Sequence, residues 1–248
     1  MSIDSENDLV ALKRIGKIVA LALQAMSASV RPGMTTAQLD AIGGAVLRKH
    51  GAHSGPKLAY DFPGYTCISI NDESAHGVPG GRVIRAGDLV NIDVSAELGG
   101  YYADTGATVA VLPVSPLKHK LCASTKAALD RAIKVAQAGK PINVIGQAIE
   151  AEAERAGFTI IENLSGHGVG RSVHEEPRGV LNYYDDRDDR ILTKGLVVAV
   201  EPFLSTHADH VVTGGDGWTL KTPDGSLTAQ YEHTIVVTNG RPIIITEI

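Results

Sequence analysis

The chain has 248 residues, of which 44% are hydrophobic and 21% are charged, and its formal net charge is −5. These values are typical of a globular protein, and the acidic balance argues against a protein whose main task is to grip nucleic-acid phosphates. Cys67 and Cys122 make neither a disulfide framework nor a zinc-knuckle spacing, and the apolar runs are too short for a bilayer, so we expect a cytoplasmic protein without a signal peptide or a membrane partner.

Two amphipathic helices are predicted at the start of the chain. From Asp4 to Val30, large apolar residues recur every three or four positions, and Pro32-Gly33 ends the pattern. A second helix begins near Thr36, which serves as its N-cap, and ends at Gly51. The connection that follows contains a loop rich in glycine, proline and tyrosine, one strand and a turn-rich segment, at residues 51–65, 66–70 and 71–79.

A β-hairpin is predicted over residues 89–111. Gly99-Gly100 separates two runs of apolar and β-branched residues, and glycine adopts the positive φ that a tight turn requires. With these glycines in the turn, Ser95 lies opposite Asp104, and Asp93 shares a face with Asp104. Two carboxylates facing each other in apolar surroundings repel and are desolvated, so we expect a cation between them. A turn shifted by one residue would separate them, and two edge aspartates facing solvent are the alternative.

The second half of the chain repeats the order of helices before strands. A helix is predicted over 116–137 with Pro116 at its first position, and another over 143–157 with Asn143 as its cap. Five strands are expected at residues 158–161, 196–204, 218–222, 230–237 and 242–246. Because the pattern occurs twice, we predict two similar α+β halves that form a single domain over residues 1–248, with a site between them.

Acidic and imidazole side chains interrupt the apolar pattern of the second half. Glu201 ends one strand and Glu232 lies inside another, and buried glutamates are rare unless they are paired or bound to a metal. Between the halves, the glycine-rich segment 165–177 carries His167 and His174. Its glycine spacing does not match a dinucleotide-binding loop, and it lacks the second histidine of a metalloprotease helix.

Six short motifs occur in chain order: Asn91-Ile-Asp93-Val, Asp104-Thr, Gly166-His167-Gly-Val-Gly, His174-Glu-Glu-Pro, Glu201-Pro and Gln230-Tyr-Glu232-His-Thr. Together they resemble the motifs of type I methionine aminopeptidases, over nearly the whole chain to about Val237. The resemblance implies the pita-bread fold, in which two pseudo-symmetric halves form an antiparallel sheet covered by helices. It implies metal ligands at five positions: Asp93 on one ion, His167 and Glu201 on the other, and Asp104 and Glu232 bridging both.

The resemblance also implies the activity, which is removal of initiator methionine from nascent proteins and peptides with a small second residue. Four carboxylates and one imidazole suit cobalt, manganese, iron or zinc, and two such ions can activate a water that attacks the scissile carbonyl. Glu201 would act as general base, while His76 and His174 would hydrogen-bond the scissile amide and the developing oxyanion. The methionine pocket is expected at Phe62, Cys67 and Trp218, with Tyr60 or Tyr65 as further candidates.

The remaining histidines of the chain are interpreted as lying outside the site, and two other functions compete with the one that the resemblance implies. We interpret His207, Asp209 and His210 as a solvated loop, and we place His233 on the strand face opposite Glu232. The expected partners are N-termini of nascent polypeptides, with transient ribosome contact, no sequence-specific nucleic acid and a monomeric chain. The competing functions are an Xaa-Pro-specific pita-bread peptidase and a non-catalytic binding relative.

Overall fold

The structure is a computed structural model that describes residues 1–247. The described part contains five helices: α1 (Glu6–Ser29), α2 (Thr36–Lys49), α3 (Gly55–Tyr60), α4 (Pro116–Val135) and α5 (Asn143–Ala156). Four of them match the predicted helices to within a few residues, and α3 lies inside the segment predicted as a loop. No helix in the described range is both long and apolar enough to cross a membrane.

Side-chain caps fix where the helices begin. The Ser5 hydroxyl accepts a hydrogen bond from the Asp8 N–H while the Asp8 carboxylate accepts one from the Ser5 N–H, which is a capping box at the start of α1. Thr35 forms the same arrangement with Gln38, so the cap of α2 lies one residue before the predicted Thr36. Thr36 instead exchanges hydrogen bonds with the backbone of Gly80.

The cap predicted for α5 is wrong. Ile142 is the N-cap residue and makes no side-chain capping bond. Asn143 is the first helical residue, and its side-chain amide donates to the Asp185 carbonyl at 3.0 Å. The asparagine therefore ties the helix to a distant loop instead of capping it. By contrast, Pro116 is the first residue of α4, as predicted, and Ser115 caps that helix.

The described chain has fourteen strands: β1 (His53–Ser54), β2 (Cys67–Ile70), β3 (Glu73–Ala75), β4 (Leu89–Leu98), β5 (Tyr101–Ala110), β6 (Thr159–Ile160), β7 (Ser165–Gly168), β8 (Glu175–Leu181), β9 (Val197–Val200), β10 (Phe203–Ser205), β11 (Val212–Thr213), β12 (Leu220–Lys221), β13 (Thr228–Val236) and β14 (Ile243–Ile244). Eleven form one sheet with the central order β1-β4-β5-β13-β9-β7-β8, and all its strand pairs are antiparallel. A small second sheet contains β11, β12 and β3.

The two halves of the sheet meet where β5 pairs with β13. Helices α1 and α2 cover the first half, and their apolar side chains form one buried cluster with β2, β4 and β5. Helices α4 and α5 cover the second half and form another cluster with β9 and β13. This is the predicted antiparallel sheet of two helix-covered halves.

The strand predicted over residues 196–204 is interrupted. Glu201-Pro202 separates β9 from β10, because proline has no N–H to donate to a neighbouring strand. The strand β10 leaves the path of β9 and pairs with β13 and β6 instead. The break therefore places Glu201 at the end of a central strand, where its side chain can enter a cavity.

Candidate metal centre

The β4–β5 hairpin has the predicted register. Gly99 and Gly100 occupy the turn with φ values of +62° and +82°, and Ser95 pairs with Asp104. Asp93 and Asp104 therefore lie on one face, and both line the same cavity. The turn thus brings together the first two acidic groups of the site.

Three further strands bring the remaining predicted ligands to the same place. Glu232 on β13 pairs across the sheet with Gly106 of the hairpin, and His167 on β7 pairs with Ala199 of β9. The His167 Nε2 lies 3.4 Å from Glu201 Oε1 and 4.0 Å from Asp104 Oδ2. One ligand atom from each of Asp104, His167 and Glu232 lies within 4.8 Å of the other two.

Asp104, Glu201 and Glu232 are buried and Asp93 is half-buried, and their carboxyl groups have no lysine or arginine partner among the described residues. Burial, and then the neighbouring carboxylates, raise the pKa values of Asp104 and Glu232 well above their usual range. The same two causes raise the pKa of Glu201, and burial raises that of Asp93. No lysine or arginine lines the cavity within residues 1–247. Four acidic groups in one buried place therefore lack a counter-charge from the described chain.

Two oxygen atoms show that the residues fit a divalent metal. Asp104 Oδ1 and Glu232 Oε1 are buried and have no hydrogen-bond partner among the described residues. A buried carboxylate oxygen without a partner is destabilising, and a divalent cation is the partner that satisfies several such oxygens at once. Four carboxylates and one imidazole are a donor set suited to manganese, iron, cobalt or zinc.

The ring of His167 is oriented as a metal ligand requires. Its Nδ1 lies 2.9 Å from the Gly168 carbonyl oxygen, and because a carbonyl only accepts hydrogen bonds, Nδ1 must carry the ring proton. This leaves the lone pair on Nε2, which is the atom that faces Glu201 and Asp104. Burial lowers the pKa of His167 to about 4, so the ring is neutral near pH 7.

His76 and His174 line the same cavity. His76 adopts a φ of +53°, a left-handed conformation that is uncommon for a residue with a side chain. The ring of His174 lies 4.1 Å from the ring of His167, centroid to centroid, and its Nδ1 lies 2.7 Å from the Tyr60 hydroxyl. Burial lowers the pKa values of both histidines.

An apolar pocket adjoins the acidic cluster inside a cavity of about 360 Å³. Phe62, Cys67 and Trp218 line it, and the rings of Phe62 and Trp218 meet edge to face at 5.3 Å. Of the two further candidates, Tyr60 lines the cavity. The Tyr65 ring instead packs beneath Arg48 and Lys57, outside the lining.

The sequence analysis assigned no function to two residues that contribute to the site, Phe203 and Gln230. Phe203 adds a buried ring to the cavity wall, directly after Glu201-Pro202. Gln230 donates from Nε2 to Glu232 Oε2 at 3.0 Å and is held by Asn91 Nδ2 at 2.7 Å. The sequence contains a signal for Gln230, because residues two apart on a strand share a face and Gln230 precedes Glu232 by two positions.

The alternative histidines lie outside the cavity. His210 and Asp209 are exposed and hydrogen-bond each other, in agreement with the predicted solvated loop. His207 is likewise absent from the cavity lining, and the His233 Nδ1 lies 2.8 Å from the Thr246 hydroxyl. These residues therefore contribute nothing to the acidic cluster.

Comparisons with known proteins agree with this site. Residues 10–239 match the family model for metallopeptidase family M24. "Methionine aminopeptidase 2" of Bacillus subtilis is 51% identical over the full length of both chains, and a methionine aminopeptidase of Staphylococcus epidermidis is 47% identical over 100% of this chain and 99% of its own.

Solved structures show the same fold. A methionine aminopeptidase structure from Thermotoga maritima superimposes with a TM-score of 0.96 at 33% identity and covers 100% of both chains. The prolidase of Pyrococcus furiosus has a TM-score of 0.79 at 21% identity, with 99% of this chain matching 65% of that one. The second likeness concerns the fold alone, and both confirm the predicted pita-bread architecture. The chain belongs to metallopeptidase family M24.

Proposed function

We propose that this chain is a metal-dependent methionine aminopeptidase. It removes the initiator methionine from the N-termini of nascent proteins and peptides whose second residue is small. The observation that carries this proposal is a buried acidic cluster with an adjoining apolar pocket, in a chain that matches methionine aminopeptidases over its full length at 47–51% identity.

We propose two divalent ions per chain, either cobalt, manganese, iron or zinc. Asp104 and Glu232 would contact both ions, which is supported by their buried oxygens without hydrogen-bond partners. Asp93 would hold one ion, and His167 with Glu201 would hold the other. When bound, the ions supply Lewis acidity toward water and the scissile carbonyl and a site for the free α-amine of the substrate.

The protein groups would bind the substrate and move the proton. Glu201 takes a proton from the attacking water as general base, and Gln230 orients the neighbouring Glu232 carboxylate by a hydrogen bond. His76 and His174 donate hydrogen bonds to the scissile amide and the developing oxyanion. The methionine side chain packs against Phe62 and Trp218, because aromatic walls suit a polarisable thioether.

Further expectations about the setting follow from this substrate. We propose a cytoplasmic location, where nascent chains first present their initiator methionine, and transient contact with the ribosome. We also propose a monomer in which residues 1–248 form one catalytic domain, because the five acidic and imidazole side chains that line the cavity all come from one chain.

A peptide assay distinguishes this function from its competitors. A Met-Ala-Ser peptide and an Xaa-Pro peptide are each incubated with the protein and a divalent metal, with and without EDTA. We expect free methionine from Met-Ala-Ser, and we expect EDTA to stop its release. Cleavage only before proline would indicate an Xaa-Pro peptidase, and no turnover with any metal would indicate a non-catalytic relative.

A further inference from the structure

Tyr60 and His174 meet at the edge of the cavity although 114 residues separate them in the chain. The Tyr60 hydroxyl lies 2.7 Å from His174 Nδ1, and the two ring centroids are 5.6 Å apart. The Tyr60 side chain is 46% exposed, so its ring lies between the cavity and solvent. The contact therefore joins the rim of the cavity to a histidine inside it.

The short helix α3 holds Tyr60 in place. Ser54 caps its first turn, and the Phe62 N–H bonds the Pro56 carbonyl after the last turn. A Cβ atom at Gly55 would lie only 2.9 Å from both Ser95 Oγ and Val173 Cγ2. The absence of a side chain at Gly55 therefore lets α3 begin in close contact with the hairpin and with the residue before His174.

The direction of the hydrogen bond follows from the two chemical groups. A phenol hydroxyl is a good donor and a weak acceptor, whereas the unprotonated nitrogen of an imidazole is a good acceptor. A neutral imidazole has one donor nitrogen and one acceptor nitrogen, and a hydrogen bond at one nitrogen decides where the proton lies. Donation from Tyr60 to Nδ1 therefore leaves the ring proton of His174 on Nε2.

The neighbouring His167 has the opposite arrangement. Its Nδ1 donates to the Gly168 carbonyl, which leaves the lone pair on Nε2 for a metal. The two rings lie 4.1 Å apart in the same cavity, yet a carbonyl oxygen faces one Nδ1 and a hydroxyl faces the other. These two partners would make one ring a ligand and the other a hydrogen-bond donor.

We propose that Tyr60 is a positioning residue that donates to His174 Nδ1 and thereby keeps the ring proton on Nε2, directed to the substrate carbonyl oxygen. The inference rests on the proposed function, in which His174 donates a hydrogen bond to the substrate. It extends that function by assigning a role in catalysis to a residue of α3, a helix that does not contribute to the acidic cluster.

The test compares Tyr60→Phe with Tyr184→Phe, which is a matched control because Tyr184 is also 46% exposed and lies outside the cavity lining. Nitrogen-15 NMR of the histidine rings, on metal-free and zinc-loaded protein, reports which ring nitrogen of His174 carries the proton. We expect Nε2–H in the wild type and in Tyr184→Phe, and a mixture of both tautomers in Tyr60→Phe.

The kinetic arm measures Met-Ala-Ser cleavage by the same three proteins. Because one hydrogen bond to a neutral group is lost, we expect kcat of Tyr60→Phe to fall about tenfold while KM changes by less than about twofold. Circular dichroism checks that each variant is folded. Tyr184→Phe is expected to keep the wild-type kcat and KM.

Several outcomes overturn the proposal. A wild-type ring proton on Nδ1, or an unchanged tautomer in Tyr60→Phe, shows that Tyr60 does not set the proton position. A raised KM with unchanged kcat makes Tyr60 a wall of the pocket, and a changed tautomer with unchanged kcat removes its role in catalysis. If wild-type protein releases no methionine with any metal, the proposed function fails by itself, and the NMR arm still decides between donation and acceptance by Tyr60.

Discussion

Two regions of the molecule bury glutamate side chains, and they neutralise the charge in opposite ways. Between α4 and α5, the carboxylate of Glu152 contacts Arg131 at 2.8 Å and also Arg155. Hydrogen bonds and charge from these arginines lower the pKa of Glu152. In the cavity, Glu232 is equally buried, but burial and its acidic neighbours raise its pKa well above the usual range.

The presence or absence of an arginine partner distinguishes a carboxylate that stabilises the fold from carboxylates that can bind a metal ion. The chain supplies its own cations to Glu152, and both arginine side chains are more than half exposed, so the buried carboxylate is paired with cations that stay in contact with water. Glu232 instead joins Asp93, Asp104 and Glu201, and within residues 1–247 no arginine or lysine lines their cavity. The second region requires a cation from solution, and changes there should have the larger effects.

The largest effect is expected from Glu201→Gln. The amide cannot accept the proton of the attacking water, so turnover of Met-Ala-Ser should fall by about 10²–10⁴-fold. The fold should persist, because the substitution removes one of four crowded carboxylates and keeps the shape of the side chain. Steady-state kinetics and circular dichroism measure both effects. Near wild-type turnover would remove Glu201 from the base role.

His174→Ala distinguishes a histidine that contacts the substrate from one that binds a metal ion. We expect kcat to fall by about 10²–10³-fold, as when one oxyanion donor is lost, while the metal content of the purified protein stays normal. His167→Ala is the matched comparison and should lose metal. Elemental analysis of both variants supplies the measurement. A metal-depleted His174→Ala protein would contradict the division of roles between the two histidines.

The pH dependence of stability should differ between metal-free and metal-loaded protein. Raised carboxyl pKa values mean that the metal-free folded state binds more protons than the unfolded state above pH 4.5, the ordinary value for Glu232. The unfolding free energy of EDTA-treated protein should therefore decrease as pH rises toward the raised folded-state pKa values. Bound metal keeps the carboxyl groups ionised, so this decrease should disappear.

Thermal unfolding at a series of pH values, with EDTA or with saturating divalent metal, measures the difference. Glu232→Gln removes one of the crowded carboxyl groups and should make the metal-free curve less steep, whereas Glu152→Gln should leave its slope above pH 5 unchanged. Parallel curves for the EDTA-treated and the metal-loaded wild type would mean that the acidic cluster is not the source of the pH dependence.

The elements that depend on residues close together in the sequence could be predicted from the sequence. The positive φ values of Gly99 and Gly100 determine the turn of the β4–β5 hairpin, and the register that follows places Asp93 and Asp104 on one face. The same reasoning predicted both helix pairs, because their apolar residues recur with the helical period. These features needed no knowledge of distant contacts.

Distant contacts explain what the sequence pattern did not reveal. The strand β7 has glycine at two of its four positions, and it forms because β8 and β9 supply hydrogen-bond partners on its two sides. The helix α3 has only six residues and depends on close packing at Gly55. The contact between Tyr60 and His174 joins the last residue of α3 to the residue before β8, 114 positions later, and no local pattern encodes it.

The smallest effect is expected from Glu152→Gln, which tests the structural half of the comparison. The variant loses its charge pairing with Arg131 and Arg155, but both arginines remain hydrated, so the unfolding free energy should fall by only about 1 kcal/mol or less. Urea unfolding at low and high salt measures the loss, and salt should reduce the difference from wild type because screening weakens exposed charge pairs. Turnover of Met-Ala-Ser should be unchanged. A loss of several kcal/mol that persists in high salt would show that Glu152 belongs to a desolvated ion pair. Glu152 and Glu232 would then differ in the source of their cation but not in how strongly each affects the unfolding free energy.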